Sequence, residues 1–244
     1  MRKGSLDGLL LADKPVGWTS HDVVAVLRTR LPRGHKVGHA GTLDPKATGL
    51  LLLLLGRATR SSAALLGLDK VYAGSLRLGV ETDTGDLEGR IVRESPLPPL
   101  SPEALREAFA AHLGALELPV PAYSAVKHEG RKLYDYARKG EAVPVKTRTT
   151  DIHAFDLLSW ASPEASFRLA CSSGTYVRAV AESVGRRLGC GAVLSALRRE
   201  SIGSWRVEDA RPVAELKGLG ADAISALLLP IPSGLDLAPH GRAS

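Results

Sequence analysis

The chain has 244 residues, 44% of them hydrophobic and 24% charged, an ordinary soluble balance with enough apolar material for a full core. Lysine and arginine outnumber aspartate and glutamate by 32 to 26, and the net charge of +6 suits an anionic partner, because bound cations displace counterions condensed on phosphates. Cys171 and Cys190 are too few for a disulfide framework or a four-ligand zinc site and read as reduced thiols. Residues 1–14 lack the apolar core of a signal peptide, and the leucine run at 50–55 falls far short of the roughly 20 residues that span a bilayer. A cytoplasmic protein with no membrane attachment is expected.

Residues 8–12 form a short apolar run that ends in Asp-Lys-Pro and Gly17, which predicts a buried strand leaving through a turn. Thr19, Ser20 and Asp22 supply capping and first-turn chemistry for a helix to about Leu31. Residues 32–45, rich in Gly, His and Pro, read as a loop. The run 50–55 is continuously apolar, as a strand buried on both faces would be. Residues 72–80 alternate, with Leu76 and Leu78 opposite Ser75 and Arg77, so a strand is predicted there. An acidic turn follows at 81–89, and Ile91 begins a return strand.

Ser101 caps a predicted helix over 102–113. Pro119 and Pro121 then break the chain before an extended piece near 124–127, and 131–139 has the composition of one basic helix. Residues 145–160 and 165–171 look extended. From Thr175, Val177, Val180, Ala181, Val184 and Leu188 form an apolar stripe at helical spacing, closed by Gly189. Beyond Pro230 the sequence is turn-rich and reads as a tail. Strands and helices mix without regular βαβ alternation, which predicts an α+β fold around a mixed, mainly antiparallel central sheet with flanking helices.

The charge is unevenly placed. Between Val23 and Leu68 stand seven cations, Arg28, Arg30, Arg33, Lys36, Lys46, Arg57 and Arg60, with Asp44 the one carboxylate. A second basic stretch holds Lys127, Arg131, Lys132, Arg138, Lys139, Lys146 and Arg148, diluted by Glu129, Asp135 and Glu141. The two stretches read either as solvated faces or as a two-part footprint for a polyanion.

Within the first stretch, Asp44 precedes Pro45, which holds its backbone extended, and Gly38, Gly41 and Gly49 let the chain turn sharply on either side. An isolated Asp-Pro is most often an Asx-turn. Here the carboxylate stands alone among cations with His39 on the same loop, an arrangement suited to displaying a nucleophile. In the segment SSGTYVRAVAESVG, Thr175 is the expected cap, so Arg178 falls in the first helical turn, where a cation opposes the helix dipole. It is either an arginine lying back on the helix or one paired with a carboxylate from elsewhere, with Asp44 the candidate. Tyr72 is either a core aromatic or a flat face for an unstacked base. The acids Glu81, Asp83, Asp86 and Glu88 fail the spacing of a calcium loop. Walker-A, GxGxxG, HExxH and GxSxG patterns are absent. One displayed Asp with Arg, Tyr and His can carry nucleophilic catalysis without a cofactor.

Taken in order, LLLADKPVGWTSHDVV, VGHAGTLDPKATGLLLLLLGRATR, KVYAGSLRLGVETDTGDLEG, PAYSAVKHEGRKLYDYARKG, SSGTYVRAVAESVGRRLG and LSALRRESIG resemble the TruB-type tRNA pseudouridine-55 synthases. The resemblance implies a mixed sheet crossed by an active-site cleft, no cofactor and no metal. It implies that Asp44 is the nucleophile, that His39 enters the T-loop and fills space left by flipped bases, and that Tyr72 lies against the target uracil. Tyr176 would line the pocket, Arg178 would pair with the nucleophilic carboxylate and hold it ionised, and Leu197 would pack on the base. The implied reaction frees uracil from its ribose, turns it over and rejoins it through carbon 5, after the base has left the stack. Attack on carbon 6 and attack on the anomeric carbon both fit, with Tyr72 as the base.

Two features depart from the family pattern. Lys46 stands where an apolar residue is usual, in reach of an RNA backbone. The residues after Gly203 are too few for the connecting segment plus the PUA domain that many bacterial members carry. The expected organisation is a catalytic domain over 1–205 and a short extension over 206–244 without a full PUA domain. The expected partner is the T-arm of tRNA, with no obligate protein partner and a monomeric enzyme. The competing readings are a guide-RNA-dependent synthase and a non-catalytic RNA-binding or assembly factor of the same fold.

Overall fold

The computed structural model describes residues 6–124, 126–128, 130–138, 141 and 146–231. They fall into two compact units, Met1–Lys70 with Arg198–Ser244, and Val71–Leu197.

In the first unit the leucine run becomes the strand Thr48–Leu55, which pairs antiparallel with Gly8–Lys14 along one edge. Its other edge takes Val37–Ala40 antiparallel near one end, and Arg198 and Arg199 of the strand Ala192–Ile202 in parallel register with Thr48 and Gly49 at the other. Because side chains alternate across a strand, Leu51, Leu53 and Leu55 enter one core cluster with Leu10, Val23, Val24 and Leu27. Leu50, Leu52 and Leu54 enter a second, with Leu9, Leu11, Ala40 and Ile202. Both faces are therefore dry, each leucine contributing about 1.5–3 kcal/mol of burial, and the unbroken apolar run follows. Val213, Leu216 and Ile224, from the residues after 205, join the first cluster.

The helix Ser20–Arg30 starts on a reciprocal capping box: the Asp22 amide donates to Thr19 Oγ1 at 3.1 Å, and the Thr19 amide donates to Asp22 Oδ2 at 2.8 Å. Residues 32–45 are not the continuous loop expected. Val37–Ala40 is a strand, because the open edge of Leu52–Leu55 offers it a full antiparallel ladder. That is a tertiary gain which the short, glycine-containing VGHA segment does not announce.

In the second unit the strand order is Ala192–Ile202, Lys70–Leu78, Glu164–Cys171, Thr147–Ala161 and Gly114–Pro119, with Thr147–Ala161 antiparallel to both Glu164–Cys171 and Gly114–Pro119. The pairings of both units make the sheet mixed and mostly antiparallel, with flanking helices, the α+β fold expected. Pro102–Ala110 is capped by Ser101, whose Oγ accepts from the Ala104 amide at 3.2 Å. It packs Phe109 flat on Phe155 at 4.0 Å, and Phe155 stands edge-on to Phe167. Gly74 allows this packing: a Cβ there would lie 2.6 Å from both Ala196 O and the Phe167 ring.

Two expectations are corrected in this unit, and one strand is added. Gly114–Pro119 is a strand that the prolines concealed. The segment taken as one basic helix is a short strand, Arg131–Lys132, followed by the helix Leu133–Arg138, while Lys139 lies outside the described residues. Thr175 does not cap the Val177–Arg187 helix. Tyr176 holds the cap position without a side-chain bond, because the Thr175 hydroxyl is already committed to Ser172 O at 2.9 Å and to the Thr150 hydroxyl. The tail reading falls mostly on residues 232–244, outside the described residues. No helix of the described residues is long and apolar enough to cross a membrane.

Candidate active site

Asp44 sits in the first unit, exposed, on the loop between Val37–Ala40 and Thr48–Leu55. Its neighbours are fixed from several directions. Buried Leu43 exchanges two bonds with Ser20, its amide donating to Oγ at 2.9 Å and its carbonyl accepting from that hydroxyl at 3.3 Å. The Ala47 amide donates to Asp44 O at 3.0 Å, and the Gly17 amide donates to Pro45 O at 2.8 Å. The turn around Asp44 is thus tied to the chain that leaves the Gly8–Lys14 strand.

Two buried cations complete the mounting. Lys14 is 0% exposed, and its ammonium donates to Trp18 O at 2.6 Å, Pro15 O at 3.0 Å and Pro45 O at 3.3 Å. Burial pushes its pKa down to about 8, with the Asp44 carboxylate opposing that shift and Arg199 adding to it. Arg199 is 1% exposed and donates from Nε to Leu50 O at 2.8 Å, from Nη2 to Gly41 O at 3.0 Å and from Nη1 to Thr42 O at 3.5 Å. Gly49 has φ 101°, and a Cβ there would lie 2.3 Å from Arg199 O, so only glycine fits beside this strand. The sequence reading passed over Lys14 and Arg199 and gave Ser20 only a part in the start of its helix. The available signal was a lysine directly following a buried-strand pattern, where a charge requires several acceptors.

His39 is half-buried on the Val37–Ala40 strand. Burial lowers its pKa first, and Arg199 and His21 lower it further, so the neutral ring is favoured. Its buried Nδ1 has no hydrogen-bond partner among the described residues. A ring so placed has a polar atom left to satisfy, as a residue that meets a ligand would.

The second unit holds the other candidates. Tyr72 is 8% exposed near the start of Lys70–Leu78, Tyr176 occupies the cap of Val177–Arg187, and Leu197 is half-buried on Ala192–Ile202. Arg178 is 7% exposed and donates from Nη1 to Thr84 O at 2.8 Å and from Nη2 to Tyr123 O at 3.1 Å. Asp86 Oδ2 stands 3.9 Å from its Nε. Within this unit the carboxylate beside that guanidinium is Asp86, supplied by the acidic turn. That turn lies against the helix: a Cβ on Gly85 would meet Glu182 Oε1 at 2.3 Å and Arg178 Cβ at 3.3 Å. Burial raises the pKa of Glu182, and Arg178 opposes the rise. Of the other acids, Asp83 pairs with Arg90 and Glu81 with Arg93, each at 3.1 Å, while Asp86 also accepts from the Thr84 hydroxyl at 2.6 Å. Among the described residues no group of three or more His, Cys, Asp or Glu is placed to hold a metal ion.

Both units thus offer charged groups on rigid mounts, and the comparisons with known proteins give the arrangement its class. Residues 28–177 match the model of the TruB family pseudouridylate synthase N-terminal domain. The chain is 45% identical to the tRNA pseudouridine synthase B of Opitutus terrae, over 93% of each chain. It is also 45% identical to the protein of that name from Xanthomonas campestris pv. campestris, covering 94% of this chain and 75% of the relative. Among solved structures, the Cbf5-Nop10-Gar1 complex contains a chain that matches with a TM-score of 0.70 at 27% identity, over 92% of this chain and 60% of that one. An H/ACA RNP bound to a substrate RNA containing 2′-deoxyuridine contains a chain that matches with a TM-score of 0.66 at 25% identity, over 91% of this chain and 58% of that one. This chain thus spans about three-fifths of the length of the solved chains it matches. The class is that of the pseudouridine synthases, isomerases that leave the atom count of the nucleoside unchanged. Within it, the chain belongs to the TruB family.

Proposed function

We propose that this enzyme converts uridine 55 in the T-loop of tRNA to pseudouridine, with Asp44 as the nucleophile and no cofactor. The observation that carries the reading is the mounting of Asp44. Its carboxylate is exposed, while the backbone on both sides is pinned by Lys14, Ser20 and Arg199. Fixing an attacking group before the substrate arrives removes orientational entropy from the barrier. The relatives that share 45% of the sequence are named for tRNA, which supports tRNA over a guide-RNA substrate, since the H/ACA-type chains share only 25–27%.

In this reading the target uridine is flipped out of the loop at a cost of a few kcal/mol. His39 enters the space left behind, its neutral ring suited to stacking among bases. Asp44 bonds to the nucleoside, the uracil leaves through N1, turns and is rejoined through carbon 5, and the bond to Asp44 breaks to restore the carboxylate. Tyr72 packs on the ring and takes the proton released on the route. Tyr176 and Leu197 line the base pocket, and Arg178 is the charge partner of the nucleophilic carboxylate. The enzyme acts as a monomer on the T-arm without an obligate protein partner.

Purified Asp44→Asn, offered a T-arm hairpin with one uridine at position 55, should make no pseudouridine while binding the hairpin within a few-fold of the parent. The substitution keeps shape and removes only the nucleophile. Turnover above background would remove Asp44 from the mechanism. Parent enzyme that leaves this hairpin unmodified while forming pseudouridine elsewhere in full-length tRNA would remove position 55.

A further inference from the structure

A groove of about 620 Å³ in the first unit carries an unbalanced charge. Its walls include Arg28, Arg33, His35 and Lys36, with Gly38 and Thr59. The sequence folds this way for local reasons. The Ser20–Arg30 helix ends at Leu31, and the chain reverses in a turn closed by the His35 amide donating to Pro32 O at 3.1 Å. Gly34, at φ 85°, takes the third position of that turn, which calls for a left-handed residue. Arg33 is thereby held at the tip and Lys36 just before the Val37–Ala40 strand. Arg28 reaches back from the helix, its Nη2 donating to Val37 O at 3.0 Å, so one edge of its guanidinium is anchored and the rest is free to face solvent.

What distinguishes this groove is the absence of acids. Elsewhere in the same unit several arginines are matched: Arg57 with Asp7 at 2.8 Å, Arg198 with Asp13 at 2.7 Å, Arg206 with Glu208 at 3.5 Å. Arg28, Arg33 and Lys36 have no ion pair among the described residues, and no carboxylate lines the groove. Three like charges around one concavity repel one another, which the fold tolerates more readily if a polyanion neutralises them. The groove also opens onto the start of the strand that carries His39. Lys36 and His39 are three residues apart, about 10 Å along an extended chain.

We infer that this groove is a track for the sugar-phosphate backbone of the RNA, gripping phosphates next to the nucleotide that His39 meets. The inference rests on the reading of the chain as an RNA-modifying enzyme, and it adds the cations that hold the strand in place. Phosphate contacts position a nucleic acid without reading its sequence. The groove therefore governs affinity and its salt dependence, and leaves the choice of uridine to the residues around Asp44 and Tyr72.

The test uses the full chain and the exposed substitutions Arg33→Gln and Lys36→Gln, singly and together, with Arg206→Gln as a paired-arginine control. Binding to a T-arm hairpin and to a hairpin of the same stem with a scrambled loop is measured across a salt series. Each groove substitution should flatten the slope of log K against log salt by about 0.7–0.9, and the double variant by about twice that. The loss should be equal for the two hairpins and should fall on KM rather than on kcat. The control should keep the parent slope. A double variant with the parent slope and KM would overturn the inference, as would a loss confined to one hairpin. Failure of the parent enzyme to modify the T-arm hairpin would instead strike the proposed function, since the binding slopes are read independently of product.

Discussion

The two units use buried cations in opposite senses. Around Asp44, Lys14 and Arg199 are structural: each sits beneath the surface and spends its donors on main-chain carbonyls, so that cations hold the backbone and the backbone displays a carboxylate. Around Arg178 the order is reversed. The carbonyls of Thr84 and Tyr123, with Asp86 nearby, hold the guanidinium itself. In the first unit the charge serves the shape of a loop, and in the second the loops serve the placement of a charge. Burial and a carbonyl partner do not distinguish a scaffold residue from a working one. What each bond immobilises does.

This contrast predicts how substitutions divide between stability and turnover. The largest effect belongs to Arg199→Met, which leaves the carbonyls of Leu50 and Gly41 without their donors. Unfolding in urea should show a loss of about 3 kcal/mol, with kcat/KM falling in parallel as the Asp44 loop slackens. An Arg199→Met enzyme as stable as the parent would dissolve the contrast.

Arg178→Lys comes next. One ammonium cannot span Thr84 O and Tyr123 O in the fixed fork of a guanidinium. A kcat about tenfold lower, roughly 1.4 kcal/mol of barrier, should accompany a stability loss of only about 1 kcal/mol. Stability falling as far as in Arg199→Met would make Arg178 another scaffold cation.

The smallest effect is a pH trend from Lys14. Its folded-state pKa of about 8 lies below its value near 10.4 in an unfolded chain. Between the two, the unfolded state holds a proton that the folded state has released, so this group's contribution to stability rises with pH across that window. The neutral amine has two donors where the ammonium had three, so one of the Pro15, Trp18 and Pro45 carbonyls loses its bond. Stability from this group should climb while kcat declines above about pH 8, and Lys14→Met should show neither trend. A parent kcat that stays flat through that range would detach Lys14 from the loop's function.

Much of this was legible in the sequence, for identifiable reasons. The leucine strand, the Thr19 and Ser101 caps and the stripe of the Val177–Arg187 helix follow from periodicity and local hydrogen bonding, both of which are written in adjacent residues. The Val37–Ala40 strand was not, since its ladder comes from a partner that lies later in the chain. Thr175 misled because its hydroxyl had a nearer acceptor in Ser172. For the candidate site, the GTLDP and GTYVR motifs pointed to Asp44 and Arg178 as residues. The partners Arg199 and Asp86 were hidden, because nothing local marks a side chain whose bonding groups are more than eighty residues away.

The fit of Gly49 against Arg199 bears on how this site is to be moved into another protein. A segment grafted from Gly38 to Leu51 would carry Asp44, yet it would arrive without the strand whose carbonyl lies where any side chain at position 49 would have to go. The smallest portable piece is therefore bipartite: the loop, and the stretch around Arg198 and Arg199 that it leans on. A host scaffold must offer two chain segments in parallel register at that point, with a buried guanidinium between them. Transplants that copy the motif alone should fold around a carboxylate that points nowhere in particular.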